Sequence, residues 1–309
     1  MFHIKSLKWR RPYNGGVSTD PIKVLLQTTI EATVDDWSIE RFSLLGQYLR
    51  DQRDANGAPM FEVTMRDREN RRSPDPVLSS LDRSDFHEMW LFAVDVGDGL
   101  TAADCSAISR FRAKGRGLLV TRDHMDLGSS ICDLGGVGEA HHFHSRNLDP
   151  DTAQRTVDDP YTTQITWPNF HSGANGDYQE IHAVAPIHPV LMDLQSPTGA
   201  LRFLPSHPHE GDVSAPRHGA ARVISTGTSK VTGRSFNVAV AFEPNSEEGP
   251  AIAESSFHHF ADYNWDPDHG CPSFVEERPG NGMARDPRAL IDTHRYVLNV
   301  ARWLARPAG

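Results

Sequence analysis

The sequence predicts an α/β fold, a mainly parallel sheet with helices on both faces, in a single domain spanning residues 1–309. Three observations predict it. Short continuous apolar runs recur at 22–28, 89–95 and 117–121, as in strands buried on both sides. Stretches with helical apolar spacing alternate with strand patterns between 22 and 134. Hydrophobic residues make up 38% and charged residues 23% of the 309-residue chain, enough for a packed core and too apolar for wholesale disorder.

The elements follow in order. "IKVLLQT" (22–28) reads as a buried strand. Thr33 and Asp36 have the spacing of a capping box, and Ile39, Phe42, Leu45 and Leu49 then mark one helical face. "FEVTMRD" (61–67) alternates Phe61, Val63 and Met65, a strand pattern, and "RRSPDP" (71–76) is a loop. The run at 89–95 is a strand. Thr101 and Asp104 form a second capping box, Cys105, Ile108 and Phe111 share a face, and Gly115 ends the helix. "GLLVT" (117–121) is a strand, followed by a turn into an expected short helix. Residues 135–200, rich in His, Asp, Asn, Gly and Pro, are too long for a connector and read as an ordered insertion or lid. Strands return at 221–226, 236–242 and 251–256. A helix at 287–305 carries a stripe of Leu290, His294, Val297, Leu298, Ala301 and Leu304 or Ala305.

Composition narrows the function. A net charge of −10 argues against non-specific nucleic-acid binding and favours a small-molecule ligand. Cys105, Cys132 and Cys271 form no CxxC pair, so neither a cysteine zinc site nor a disulfide is expected, and Cys132 reads as a buried inert thiol. The opening "MFHIKSLKWRRPYNGG" lacks the apolar stretch of a signal peptide, and no apolar run suggests a membrane span, so a cytoplasmic protein is expected. Subunits could pair through the C-terminal helix or the insertion.

The 16 histidines cluster at "HHFH" (141–144), "HPHE" (207–210) and "FHHF" (257–260). In "LLVTRDHMDLGSS" a strand ends in a tight turn carrying Asp123, His124 and Asp126, the geometry of a nucleophile elbow, though Asp123 and Asp126 could simply cap a helix. In "AESSFHHFADYNWD", Phe257, Phe260 and Trp265 can wall a pocket whose polar points are His258, His259 and Asp262; the competing reading makes the aromatics core and the histidines backbone-bonded. His207, His209 and Glu210 are residue types that bind zinc or iron, with His259 a further donor, but their spacing is not that of H-E-x-x-H. The glycine-rich "GGVG" (135–138) follows no strand, so it does not read as a phosphate loop.

Two stretches resemble ThuA-like (trehalose-utilisation-type) proteins: "DFHEMWLFAVDVGDGLTAADCSAISRFRAKGRGLLVTRDH", and "GRSFNVAVAFEPNSEEGPAIAESSFHHFADYNWD" with the "RYVLNVARWLA" helix. The resemblance covers roughly 20–134 and 200–306, leaves the insertion out, and implies a flavodoxin-like fold similar to class I glutamine amidotransferases. It also implies a sugar-related role. Amidotransferase chemistry needs a cysteine at the elbow and a later H-x-E, whereas this chain has "TRDHMD", and Phe260 stands where the glutamate should be. A glutaminase is therefore rejected.

Two readings follow. In the first, an enzyme brings Asp95, Asp123, His124 and His258 into one cleft at the strand ends. His124 or His258 acts as general base, oriented by Asp123. Asp126, Ser256, Asp262, Tyr263 and Trp265 hold a sugar or other polyhydroxylated substrate. A divalent metal (Zn, Fe or Mn) bound by His207, His209, Glu210 or His259 assists, and no nucleotide cofactor is expected. In the second, the missing nucleophile marks a non-catalytic binding or scaffold protein.

Overall fold

The computed structural model describes residues 20–159, 164–217 and 220–306. The opening segment judged to lack a signal peptide lies outside the described residues, as do four positions of the 135–200 insertion.

The strands are β1 (Ile22–Glu31), β2 (Phe61–Arg68), β3 (Glu88–Phe92), β4 (Gly117–Thr121), β5 (His141–His142), β6 (Tyr178–Glu180), β7 (His182–Ala183), β8 (Phe203–Pro205), β9 (Asp212–Val213), β10 (Ala221–Thr228), β11 (Ser235–Phe242) and β12 (Ala251–Glu254). The helices are α1 (Ser43–Arg50), α2 (Ala102–Ala113), α3 (Asp262–Trp265), α4 (Gly282–Arg285) and α5 (Pro287–Leu304). One sheet of eight strands runs β2-β1-β3-β4-β12-β11-β10-β7. Its first five strands are parallel and its last three pair antiparallel. Alternate residues of the central strands feed two cores. Val24, Leu26, Trp90, Phe92 and Ile252 pack with α1 and α5 on one face, and Leu25, Met89, Leu91 and Val120 pack with α2 on the other. This is the predicted flavodoxin-like layering, with an antiparallel edge added.

The insertion contributes to that edge. β7 pairs with β10 through Ser225↔Ala183 and Thr226↔His182, and β6 forms a two-stranded ribbon with β8.

The second capping box forms as expected. Thr101 Oγ1 accepts from the Asp104 backbone N–H at 3.4 Å, and Asp104 Oδ2 accepts from the Thr101 N–H at 2.9 Å. Gly115 adopts φ +79° and ends the helix. Four expectations are corrected. Thr33 and Asp36 form no box: a 3-10 turn at Ile39–Phe42 precedes α1, and Asp36 instead takes the N–H of Trp37 at 2.8 Å. The first amides of α1 are satisfied by a distant carboxylate, as the next subsection describes. No helix follows β4; residues 124–130 are a chain of turns with Met125 at φ +48° and Gly128 at φ +79°. Cys105 and Cys132 form a disulfide between α2 and those turns, because the turns fold back over α2. The buried stripe of α5 keeps the expected Val297, Ala301 and Leu304 but runs otherwise through Ala289, Thr293, Tyr296 and Val300, leaving Leu290 and Leu298 at its margin. His294 flanks it, stacked on Tyr48 with ring centroids 4.2 Å apart.

Candidate functional site

The site follows from sheet order. β4 and β12 are parallel neighbours, with Thr121 opposite Glu254, so their carboxyl ends deliver Arg122–His124 and Ser255–His259 to one place. The Phe257 N–H donates to the Arg122 carbonyl at 2.9 Å, and the Ser256 hydroxyl lies 3.3 Å from Asp123 Oδ1. A third segment, 206–211 after β8, closes on both. Three hydrogen bonds join His207 and Ser172, and the Gly211 N–H donates to the Ser255 carbonyl at 3.0 Å. That approach needs a glycine: a Cβ on residue 211 would lie 2.6 Å from the Asp123 carbonyl oxygen and 2.7 Å from that of Ser255.

At the junction stand Asp123, His207 and His258, all buried, with donor atoms within 4.8 Å of one another. His207 Nε2 is 3.4 Å from Asp123 Oδ1 and His258 Nε2 is 3.6 Å from Asp123 Oδ2. The two imidazoles lie face to face, centroids 3.5 Å apart and planes 9° from parallel. Trp37 packs edge-on against His258 at 4.6 Å. His124 Nδ1 is 3.0 Å from Asp123 Oδ2, and its side chain is more open than the three. Burial works against the charge of Asp123, but the imidazoles of His207, His124 and His258 outweigh it and hold the carboxyl well below its usual range. His207 is driven the other way, well below the ordinary histidine value, by burial and then by its stacked partner His258.

Beside it, His209 Nε2 meets Glu277 Oε1 at 3.1 Å, and its ring lies 5.3 Å from that of His124. Glu277 is held below the usual carboxylate range first by that hydrogen bond from His209. It also borders a cavity of about 610 Å³ lined by His171, Pro208, Lys230 and Arg278. A larger cavity of about 860 Å³, lined by Tyr48, His294 and Trp303, contains none of these groups.

The other expected residues have different surroundings. Asp95 accepts from Gly97 N–H and from Ser130 N–H and Oγ, pinning the turn after β3 to the one after β4. Asp126 binds Ser145 through its backbone and hydroxyl at 3.0 Å each. Asp262 caps α1, accepting from the Ser43 and Leu44 amides at 3.0 and 2.8 Å and from the Ser43 hydroxyl at 2.6 Å. Tyr263 and Trp265 are buried in the core, and Trp265 Nε1 donates to the His259 carbonyl at 2.9 Å.

Glu210 and His259 belong to a separate buried network. His259 lies between Glu254 (Nδ1 to Oε2, 2.7 Å) and Glu210 (Nε2 to Oε2, 3.2 Å), all three side chains fully buried. Ser172 and Ser255 donate to Glu210 at 2.7 and 2.6 Å, and the Tyr296 hydroxyl donates to Glu254. Burial alone would lower the His259 pKa, but Glu210 and Glu254 outweigh it and push it up to about 10. An imidazolium already paired on both nitrogens has no lone pair for a metal. Of the residues named for a metal from the sequence, His207 alone is in the group of three; the other two members are Asp123 and His258, which had been read as catalytic. Missed altogether were Asn175, Asn264 and Glu277. Asn175 reaches the site only through tertiary contacts, Asn264 lies near His258 in the chain but its type gave no signal, and Glu277 sits in an irregular segment with no periodic signal.

No family model matches the chain, and no curated protein matches it by sequence. Solved structures share its fold. A ThuA-like protein from Parabacteroides merdae superposes with a TM-score of 0.51 at 15% identity, over 93% of this chain and 90% of that one. The glutaminase domain of the Trypanosoma brucei CTPS matches at TM-score 0.47 and 12% identity, covering 91% and 94% of the two chains. A cytoplasmic protein from Salmonella typhimurium matches at 0.42 and 12%, covering 89% and 98%. The chain thus shares the layered α/β fold of the ThuA-like structure, as its sequence resemblance implied, with Asp123, His207 and His258 brought together beyond the strand ends.

Proposed function

We propose that this chain is a divalent-metal-dependent enzyme acting on a small polyhydroxylated molecule, with Asp123, His207 and His258 as the metal ligands. One observation carries the reading: a buried carboxylate and two imidazole nitrogens converge within 4.8 Å of one another, and among the described residues His207 Nε2 has no hydrogen-bond partner. Two imidazoles and one carboxylate are a ligand set of zinc hydrolases and of non-haem iron enzymes, and leave positions open for water or substrate. A metal bound there would activate water or polarise a substrate oxygen. His124, hydrogen-bonded to Asp123 through Nδ1 and partly open, is placed to move a proton. His209 with Glu277 offers polar contacts at the rim for hydroxyl groups. The sugar class rests on the sequence resemblance; a cytoplasmic location was the expectation from the sequence alone. The Cys105–Cys132 bridge speaks for an oxidising compartment instead. Among the described residues no helix is long and apolar enough to cross a membrane.

A second reading is favoured by the stack. With the ring planes nearly parallel and 3.5 Å between centroids, one ion cannot lie in both planes, so loading must tilt one imidazole. If neither tilts, the centre holds a proton, and the protein is a metal-free binder. Elemental analysis of the purified protein and titration with Zn²⁺, Fe²⁺ and Mn²⁺ decide between them. The metal reading expects one equivalent, lost in His207→Ala and His258→Ala variants that keep their fold. A wild-type protein that binds none of the three ions ends it.

A further inference from the structure

The two imidazoles do not choose their tautomers alone. Asn264, on α3, donates from Nδ2 to the Ser206 carbonyl at 2.9 Å. A carbonyl accepts only, so this contact fixes which end of the amide is nitrogen. The Asn264 oxygen then faces His258 Nδ1 at 2.9 Å. The same Nδ2 also donates to Asn175 Oδ1 at 2.8 Å, which fixes the second amide, and that oxygen faces His207 Nδ1 at 2.9 Å. Both imidazoles therefore donate from Nδ1, which leaves Nε2 as the nitrogen each ring turns to Asp123. All the atoms in this chain are buried. A carboxylate and two Nε2 atoms facing one another within 4.8 Å make a receptor for a cation.

We infer that Asn264 and Asn175 are positioning residues that hold His207 and His258 in the metal-binding tautomer, through a relay anchored on the Ser206 carbonyl. The inference rests on the metal reading of the centre. The relay has a direction, which gives it a signature that loss of packing does not share. Asn175 has only to accept, from His207 Nδ1 and from Asn264, so Asn175→Asp keeps every bond of the relay. Asn264 has to accept and donate. In Asn264→Asp the donor is gone: His258 keeps its acceptor, while Asn175 loses the contact that orients it, turns its nitrogen to His207 Nδ1 and shifts the His207 proton to Nε2. A substitution that touches His258 thus disables His207.

The test uses the full chain, with Zn²⁺ titration and ¹⁵N NMR of the histidine side chains in the metal-free protein. The wild type should show both rings as Nδ1–H tautomers. Asn264→Asp should move His207 alone to Nε2–H and weaken Zn²⁺ binding by about 10–100-fold, the usual cost of losing a hydrogen bond behind a metal-bound histidine. Asn175→Asp should keep both tautomers and stay within about threefold of wild-type affinity, well short of that loss. If Asn264→Asp binds Zn²⁺ as the wild type does, or if the wild-type rings are Nε2–H, the relay is overturned. If the wild type shows Nδ1–H tautomers but binds no metal, the metal reading has failed while the relay stands.

Discussion

Glu254→Gln tests the buried Glu210–His259–Glu254 network. The variant keeps the shape and an oxygen to accept from His259 Nδ1, but removes one of the two charges that stabilise the imidazolium. The size of the effect can be worked two ways. His259 is raised from 6.5 to about 10. At about 1.4 kcal/mol per pKa unit, holding that proton stabilises the folded state by about 5 kcal/mol. Removing one partner of a buried ion pair costs about 3–5 kcal/mol where measured. The pH dependence has a definite sign. Because the folded value is above the unfolded one, the contribution is fully present below the ordinary histidine pKa and is lost as pH rises through the folded value of about 10. Urea denaturation followed by circular dichroism, at about pH 6.5 and at about pH 10, reads both effects. Glu254→Gln should lose about 3–5 kcal/mol at the lower pH and much less at the higher, as the wild type itself weakens. A variant within about 1 kcal/mol of wild type at the lower pH, or a wild-type stability flat across the interval, would refute the assignment of His259 as a buried cation.

Three further outcomes are expected. Gly211→Ala drives a methyl into the Asp123 and Ser255 carbonyls; it should cost about 1–3 kcal/mol in thermal or urea unfolding and lower metal uptake, and unchanged values would show that the 206–211 segment does not need to sit that close. Thr101→Ala should destabilise by about 1 kcal/mol, read from the urea midpoint at constant slope, because it deletes the hydroxyl half of the α2 capping box. Reducing Cys105–Cys132, which closes 27 residues of separation, should lower stability by about 3–4 kcal/mol, measured by unfolding with and without dithiothreitol and against Cys105→Ser.

Local pattern made much of the fold legible. β1, β3 and β4 read as apolar runs because both of their faces are covered, and the α2 box read from Thr101 and Asp104 because its partners are three residues apart. Thr33 and Asp36 show the limit of that reasoning. The same spacing forms no box there, since the amides that needed a cap belong to α1 and found Asp262, 219 residues along the chain. Phe257, Phe260 and Trp265 looked like a pocket wall because an aromatic cluster has the same composition whether it lines a cavity or fills a core. Asp123 and His258 were legible as site residues because each follows the carboxyl end of an apolar strand. That His207 is the histidine of "HPHE" that joins them, while His209 turns to Glu277, was not legible, because the three residue identities around it carry no register.

By itself the sequence determined the layered α/β arrangement and the chemistry on offer, a turn of Asp123 and His124 and a pair of imidazoles at strand ends. Periodicity is a property of neighbours in the chain, so it can be read there. Tertiary structure alone decided which donors meet. The pairing of β4 with β12 put Asp123 opposite His258, and the return of the loop after β8, possible because Gly211 has no side chain, supplied His207. The amide relay behind both rings depends on Ser206, Asn175 and Asn264 arriving from three separate segments, and hydrogen bonds over such separations leave no periodic trace.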